Sequence, residues 1–246
     1  MYRKERLLIL DADGTTIDAF RAIERTFALH GMDIGDLERF QSRRHLFKYI
    51  GGLKEFPSNL KRQLGRKRRS QLIDTLTQVY RDEARLFDHM GEWINALLDR
   101  EGLRVGLVTR NITTDPLDTL KRLFARHGVD LARMDFLIHI SRKDDKTGTF
   151  RKLRAEFAIN PALSYACGDE KKDYVAALST GIHPFMVSYG FENHSRLTRK
   201  IGVPEELIST SPAQLRERVC QCLDMPIAES ANIPGRVGTA DNERAA

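Results

Sequence analysis

Apolar positions change their spacing twice along the chain. Leu7-Leu8-Ile9-Leu10 is a short continuous apolar run that ends at a glycine-containing turn, the pattern of a buried strand. From Asp18 to about Phe87 the spacing becomes helical. Phe20, Ile23, Phe27 and Leu29 form one stripe, Leu37, Phe40, Leu46, Phe47 and Ile50 a second, and Leu72, Ile73, Leu76, Val79 and Tyr80 a third. Breaks fall at Gly51-Gly52 and Phe56-Pro57-Ser58. A strand-helix alternation follows. Strands are predicted over 103–108, 136–140, 163–167, 183–188 and 207–208, and helices over 91–100, 115–127, 150–158, 174–180 and 211–223. Asp115-Pro116 reads as N-cap and first turn of its helix. Strands joined through helices imply right-handed crossovers and a parallel sheet. The expectation is an α/β fold: a doubly wound, Rossmann-like core over 1–16 and 89–224, a helical cap inserted over 17–88, and a flexible tail over 225–246.

Composition narrows the class. The chain has 246 residues, 41% hydrophobic and 30% charged, which suits a large folded domain or a core with an insertion. No apolar run approaches the roughly 20 residues of a membrane-spanning helix, and the first residues do not read as a secretory signal. Cys167, Cys220 and Cys222 are too few and too clustered for a disulfide framework. A cytoplasmic protein with no membrane partner is expected. Charge is uneven: 36–70 holds eleven basic and three acidic residues, more net charge than the +6 of the whole chain. That stretch is either a solvated helical face or a positive surface that steers phosphorylated substrates. It shows no interleaved aromatics and no nucleic-acid-binding motif, so no nucleic-acid partner is expected.

Candidate chemistry lies where a parallel sheet binds ligands, beyond the carboxyl ends of its strands. The first strand delivers Asp11, Asp13, Gly14 and Thr15, the second Thr109, Arg110 and Asn111, and the fourth Asp169, Glu170 and Asp173. Lys143 and Lys146 lie in the loop after the third strand. Crowded carboxylates repel, and a divalent cation removes that cost. Oxygen-only ligands suit Mg²⁺ rather than zinc. Asp11 and Asp13, two apart in extended backbone, project to one side, so one can attack phosphorus while the other protonates the departing oxygen. Gly14 permits a sharp turn that aims backbone N–H groups at phosphate oxygens. Trp93 reads as core, and the seven histidines show no metal-ligand spacing.

Leu8-Ile9-Leu10-Asp11-Ala12-Asp13-Gly14-Thr15 resembles the first motif (DxDGT) of the haloacid dehalogenase-like hydrolase superfamily. Val108-Thr109-Arg110-Asn111 resembles its second motif and Gly168-Asp169-Glu170-Lys171-Lys172-Asp173 its fourth. Lys146 fits the third by spacing, with Lys143 as the alternative. The helices between the first two strands resemble the inserted cap of the phosphoglycolate phosphatase-like branch, and Val187-Ser188-Tyr189-Gly190-Phe191 also looks like that branch. The resemblance implies a Mg²⁺-dependent phosphatase acting on a small phosphorylated metabolite, as monomer or homodimer. Asp11 would be nucleophile and Asp13 general acid/base. Thr109 and Lys146 would hold the phosphoryl group, with Gly14, Thr15, Arg110 and Asn111 lining the substrate. Asp11, Asp169 and the carbonyl of Asp13 would ligate Mg²⁺, with Asp173 in support. The alternatives are a phosphomutase and a catalytically silent binding protein of the same fold.

Overall fold

The computed structural model describes residues 2–42, 66–141 and 144–226. Gly51-Gly52, Lys143, most of the basic stretch and nearly all of the proposed tail lie outside them. Six strands form one parallel sheet: β1 (Arg6–Leu10), β2 (Leu103–Thr109), β3 (Phe136–His139), β4 (Ser164–Gly168), β5 (His183–Val187) and β6 (Ile208–Ser209). Their order is β3-β2-β1-β4-β5-β6, parallel throughout. This is the doubly wound arrangement expected from the strand-helix rhythm.

Helices α1 (Ala19–Leu29), α2 (Leu37–Ser42) and α3 (Arg66–Asp82) fall between β1 and β2, followed by α4 (Met90–Leu98). Helices α5 (Pro116–Arg126), α6 (Lys146–Glu156), α7 (Lys171–Ser179) and α8 (Pro212–Cys222) connect or follow the later strands. The residues of β1 are apolar on both faces because both faces are covered. Leu8 and Leu10 pack with α1, α3, α4, α5 and α8, whereas Leu7 and Ile9 pack with α6 and α7. Trp93 belongs to the first of these cores, as expected.

One local reading is corrected. Helix α6 starts at Lys146, not at 150, so Lys146 is its first residue rather than part of a free loop. The cap is Asp145, whose side chain accepts from Thr147 N. Asp115 is the N-cap of α5 and Pro116 its first residue, as expected, although Asp115 is left-handed (φ 50°) and makes no side-chain capping bond. Helix α7 begins at Lys171, where Glu170 and Asp173 form a capping box, and it contains the expected helical stretch from Tyr174.

The chain runs outward through β1, β2 and β3, then returns to place β4 on the other side of β1. The carboxyl ends of β1 and β4 therefore flank the point where the strand order reverses, the crevice in which such sheets bind ligands.

Candidate active site

Asp11 and Asp169 arise from that crevice. Leu10 is in register with Cys167, and Asp11 N donates to Cys167 O at 3.0 Å, so the pairing continues just past β1. Asp169 follows β4 immediately, and Asp173 lies in the first turn of α7. These three carboxylates are 8%, 0% and 3% exposed, so little water reaches them. One oxygen from each lies within 4.8 Å of the others. Lys146 Nζ sits 2.6 Å from Asp11 Oδ1 and 2.6 Å from Asp173 Oδ1.

One lysine cannot balance three carboxylates. Burial pushes Asp11 up to about 7, with the Lys146 ammonium pulling the other way and Asp173 adding to the rise. Burial also drives Asp169 well above the usual carboxylate range, helped by Glu170, Asp11 and Asp173. Burial lowers the Lys146 pKa, but Asp11 and Asp173 outweigh it, so the ammonium is held charged. Asp169 Oδ2 accepts from Phe191 N at 2.6 Å, while its Oδ1 is buried without a hydrogen-bond partner among the described residues. A desolvated oxygen of this kind costs free energy unless something binds it. Hard oxygen donors, excess negative charge and an orphaned oxygen together fit a metal ion.

Asp13 takes a different direction. Its side chain accepts from Tyr80 Oη at 2.7 Å and from Asn111 Nδ2 at 3.1 and 3.0 Å. Burial raises its pKa, and the hydrogen bonds from Tyr80 and Asn111 counter the rise. The two aspartates that share a sequence spacing are thus separated by their partners: Asp11 is tied to Lys146, Asp13 to a phenol and an amide.

The turn after β1 also departs from expectation. Gly14 N donates to Ile17 O at 3.0 Å, and Thr16 N donates to Ala12 O at 3.0 Å, so these amides serve the turn itself. The need for glycine at Gly14 is steric: φ is +80°, and a Cβ there would collide with Asp169 Oδ2. A Cβ on Gly190 would meet the same oxygen at 2.5 Å. Thr15 is fully buried; its carbonyl accepts from Tyr189 Oη at 3.0 Å and its hydroxyl lacks a partner among the described residues. Thr109 closes β2, buried, with Oγ1 accepting from Asn111 N at 3.1 Å. Arg110 pairs with Glu170 at 2.7 Å, linking the ends of β2 and β4.

Solved structures resemble this arrangement across most of the chain. A haloacid dehalogenase-like hydrolase family protein from Streptococcus pneumoniae shares 17% identity at a TM-score of 0.58, over 88% of this chain and 99% of its own. A predicted phosphoglycolate phosphatase from Haemophilus somnus shares 16% at 0.63, over 88% and 99%. CbbY from Rhodobacter sphaeroides, solved in complex with phosphate, shares 19% at 0.53, over 77% and 89%. The fold is that of the haloacid dehalogenase-like hydrolases. No family model matches the sequence, and no curated protein does. The likeness to these structures is one of fold.

Tyr80 and Gln41 escaped the sequence reading. By spacing Tyr80 belongs to an apolar stripe, yet a buried tyrosine needs a partner for its hydroxyl, and that need is the available signal. Gln41 Nε2 donates to Gly190 O at 2.6 Å, joining α2 to the loop after β5. No spacing rule points to that contact. Among the described residues, no helix is long and apolar enough to cross a membrane.

Proposed function

We propose that this chain is a Mg²⁺-dependent phosphatase. It would hydrolyse a small phosphorylated metabolite through an aspartyl-phosphate on Asp11, with Asp13 as general acid and base. The observation that carries this reading is the buried excess of carboxylate over cation at Asp11, Asp169, Asp173 and Lys146. The phosphate bound to the Rhodobacter relative supports the same ligand chemistry on this fold.

Asp11 and Asp169, with the Asp13 carbonyl, are the residues that would hold Mg²⁺, and Asp173 would support them. The ion would supply positive charge that stabilises the phosphoryl oxygens. Lys146 occupies Asp11 Oδ1, which leaves Oδ2 as the nucleophilic oxygen. As Oδ2 bonds to phosphorus, the bond from phosphorus to the leaving oxygen breaks and Asp13 passes that oxygen a proton. In the second half, Asp13 takes a proton from water, the water oxygen bonds to phosphorus, and Asp11 is released. Thr109 Oγ1 and Lys146 would hold the phosphoryl group through both halves. Arg110 and Asn111 would meet the substrate from the end of β2. The helices of 17–88 would act as a cap that keeps water from the reacting centre.

The test is phosphate release from a panel of phosphorylated metabolites, with Mg²⁺ and with EDTA. Turnover of at least one compound that EDTA stops and Mg²⁺ restores is expected. Turnover indifferent to metal, or none across the panel, would contradict the reading.

A further inference from the structure

Helix α3 brings Tyr80 to the site from the segment inserted between β1 and β2. The residue is 2% exposed, and its ring belongs to the core. It is fixed at both ends. Its hydroxyl lies 2.7 Å from Asp13 Oδ1, and its backbone carbonyl accepts from Arg126 Nη2 at 3.1 Å. One turn earlier Thr77 Oγ1 accepts from Thr114 N at 2.8 Å. One residue later Arg81 donates to Thr119 Oγ1 and to Asp118, each at 3.2 Å. These bonds seat α3 on α5 and on the loop before it, on both sides of Tyr80.

Asn111 holds the same carboxylate but does not tell its two oxygens apart, because Nδ2 lies 3.1 Å from Oδ1 and 3.0 Å from Oδ2. Asn111 is itself oriented by Thr113, which donates to its Oδ1 through N and Oγ1. Tyr80 therefore supplies the asymmetry among the described residues. A hydroxyl donating to Oδ1 marks that oxygen as an acceptor and leaves Oδ2 to carry a transferable proton.

We propose that Tyr80 is a positioning residue for Asp13: its hydroxyl, held against the core by α3, orients the carboxyl so that Oδ2 faces the leaving group. The inference rests on the phosphatase reading. The phenol keeps its proton throughout, and only Asp13 exchanges one.

The experiment compares kcat/KM of wild type, Tyr80→Phe and Asp13→Asn, in the full chain with Mg²⁺, on p-nitrophenyl phosphate and phenyl phosphate. Nitrophenolate departs with little protonation, whereas phenolate needs a proton from a well-placed acid. Tyr80→Phe should cut kcat/KM for phenyl phosphate roughly tenfold and for p-nitrophenyl phosphate less than about threefold. Asp13→Asn should show the same split, larger. A purely structural role for the hydroxyl would lower both substrates equally. That result, or a Tyr80→Phe variant indistinguishable from wild type, overturns the proposal. If Asp13→Asn shows the split and Tyr80→Phe does not, the proposal falls while the phosphatase reading stands. If wild type turns over neither ester, the comparison runs on a panel metabolite with an alcohol leaving group, where Tyr80→Phe must cut kcat/KM roughly tenfold; if wild type turns over no compound at all, both readings fall. Should Tyr80→Phe not fold, 3-fluorotyrosine at position 80 keeps the shape and alters the hydroxyl's acidity. The substrate ratio must then move, and an unchanged ratio overturns the proposal.

Discussion

Charged residues gather at both ends of the sheet, and the two gatherings differ in balance. At the amino ends of the strands, Arg104 bridges Glu5 and Asp135 at 2.8 Å each, and Arg3 lies 3.6 Å from Glu5. Two cations face two carboxylates there, and the side chains of Arg104, Glu5 and Asp135 are 36%, 24% and 21% exposed. Water and pairing together satisfy most of that network, with Glu5 Oε2 buried and held only by the ion pair to Arg3. At the carboxyl ends, one lysine faces three carboxylates with almost no water. Folding alone gives no reason for such an imbalance, since desolvated like charges destabilise the folded chain. The difference separates a network that fastens the structure from one whose excess of carboxylate fits the proposed cation.

The comparison can be broken by substitution. The largest effect is expected for Asp11→Asn. Turnover should fall by about a thousandfold or more because the proposed nucleophile is lost, while the metal-free protein melts higher because one crowded carboxylate is gone. Phosphate release and a melting curve in EDTA check the two halves, and a variant that loses stability would contradict the account of crowding. Lys146→Met comes next. It leaves three carboxylates with no counter-charge, so the metal-free protein should lose about 3–5 kcal/mol in denaturant unfolding. The smallest effect belongs to the other end of the sheet. Arg104→Ala should cost less than about 1 kcal/mol and leave kcat unchanged, as exposed ion pairs do. A large loss there would erase the distinction between the two ends.

Much of the framework was legible because its signals are local. Continuous apolar runs such as Leu7–Leu10 mark strands covered on both faces, and the acidic loops follow those strands in the chain. The adjacency of β1 and β4, which brings Asp11 beside Asp169, follows from a general winding rule rather than from any residue. The misses are equally physical. The first turn of α6 is invisible to periodicity because Lys146, Thr147 and Gly148 carry no apolar pattern, although Asp145 caps them. Gly14 reads locally as a turn former, and the close approach of Asp169 that also requires a glycine there spans the sheet. Tyr80 combines a core ring with a site hydroxyl, and periodicity registers only the ring.

The central claim is that the carboxylate cluster is built around a dication. Its most direct test is the melting temperature between about pH 5 and pH 8, measured in EDTA and in Mg²⁺. Asp11 is raised from 3.8 to about 7 by burial, and burial also holds Asp169 well above the usual carboxylate range. The folded protein therefore holds protons that the unfolded chain releases near pH 4, and stability falls as rising pH removes them. The account predicts that the melting temperature in EDTA drops across this window. Mg²⁺ should restore it, with a larger upward shift at pH 8 than at pH 5. A melting temperature that Mg²⁺ leaves unmoved at every pH, or that rises with pH in EDTA, would contradict it.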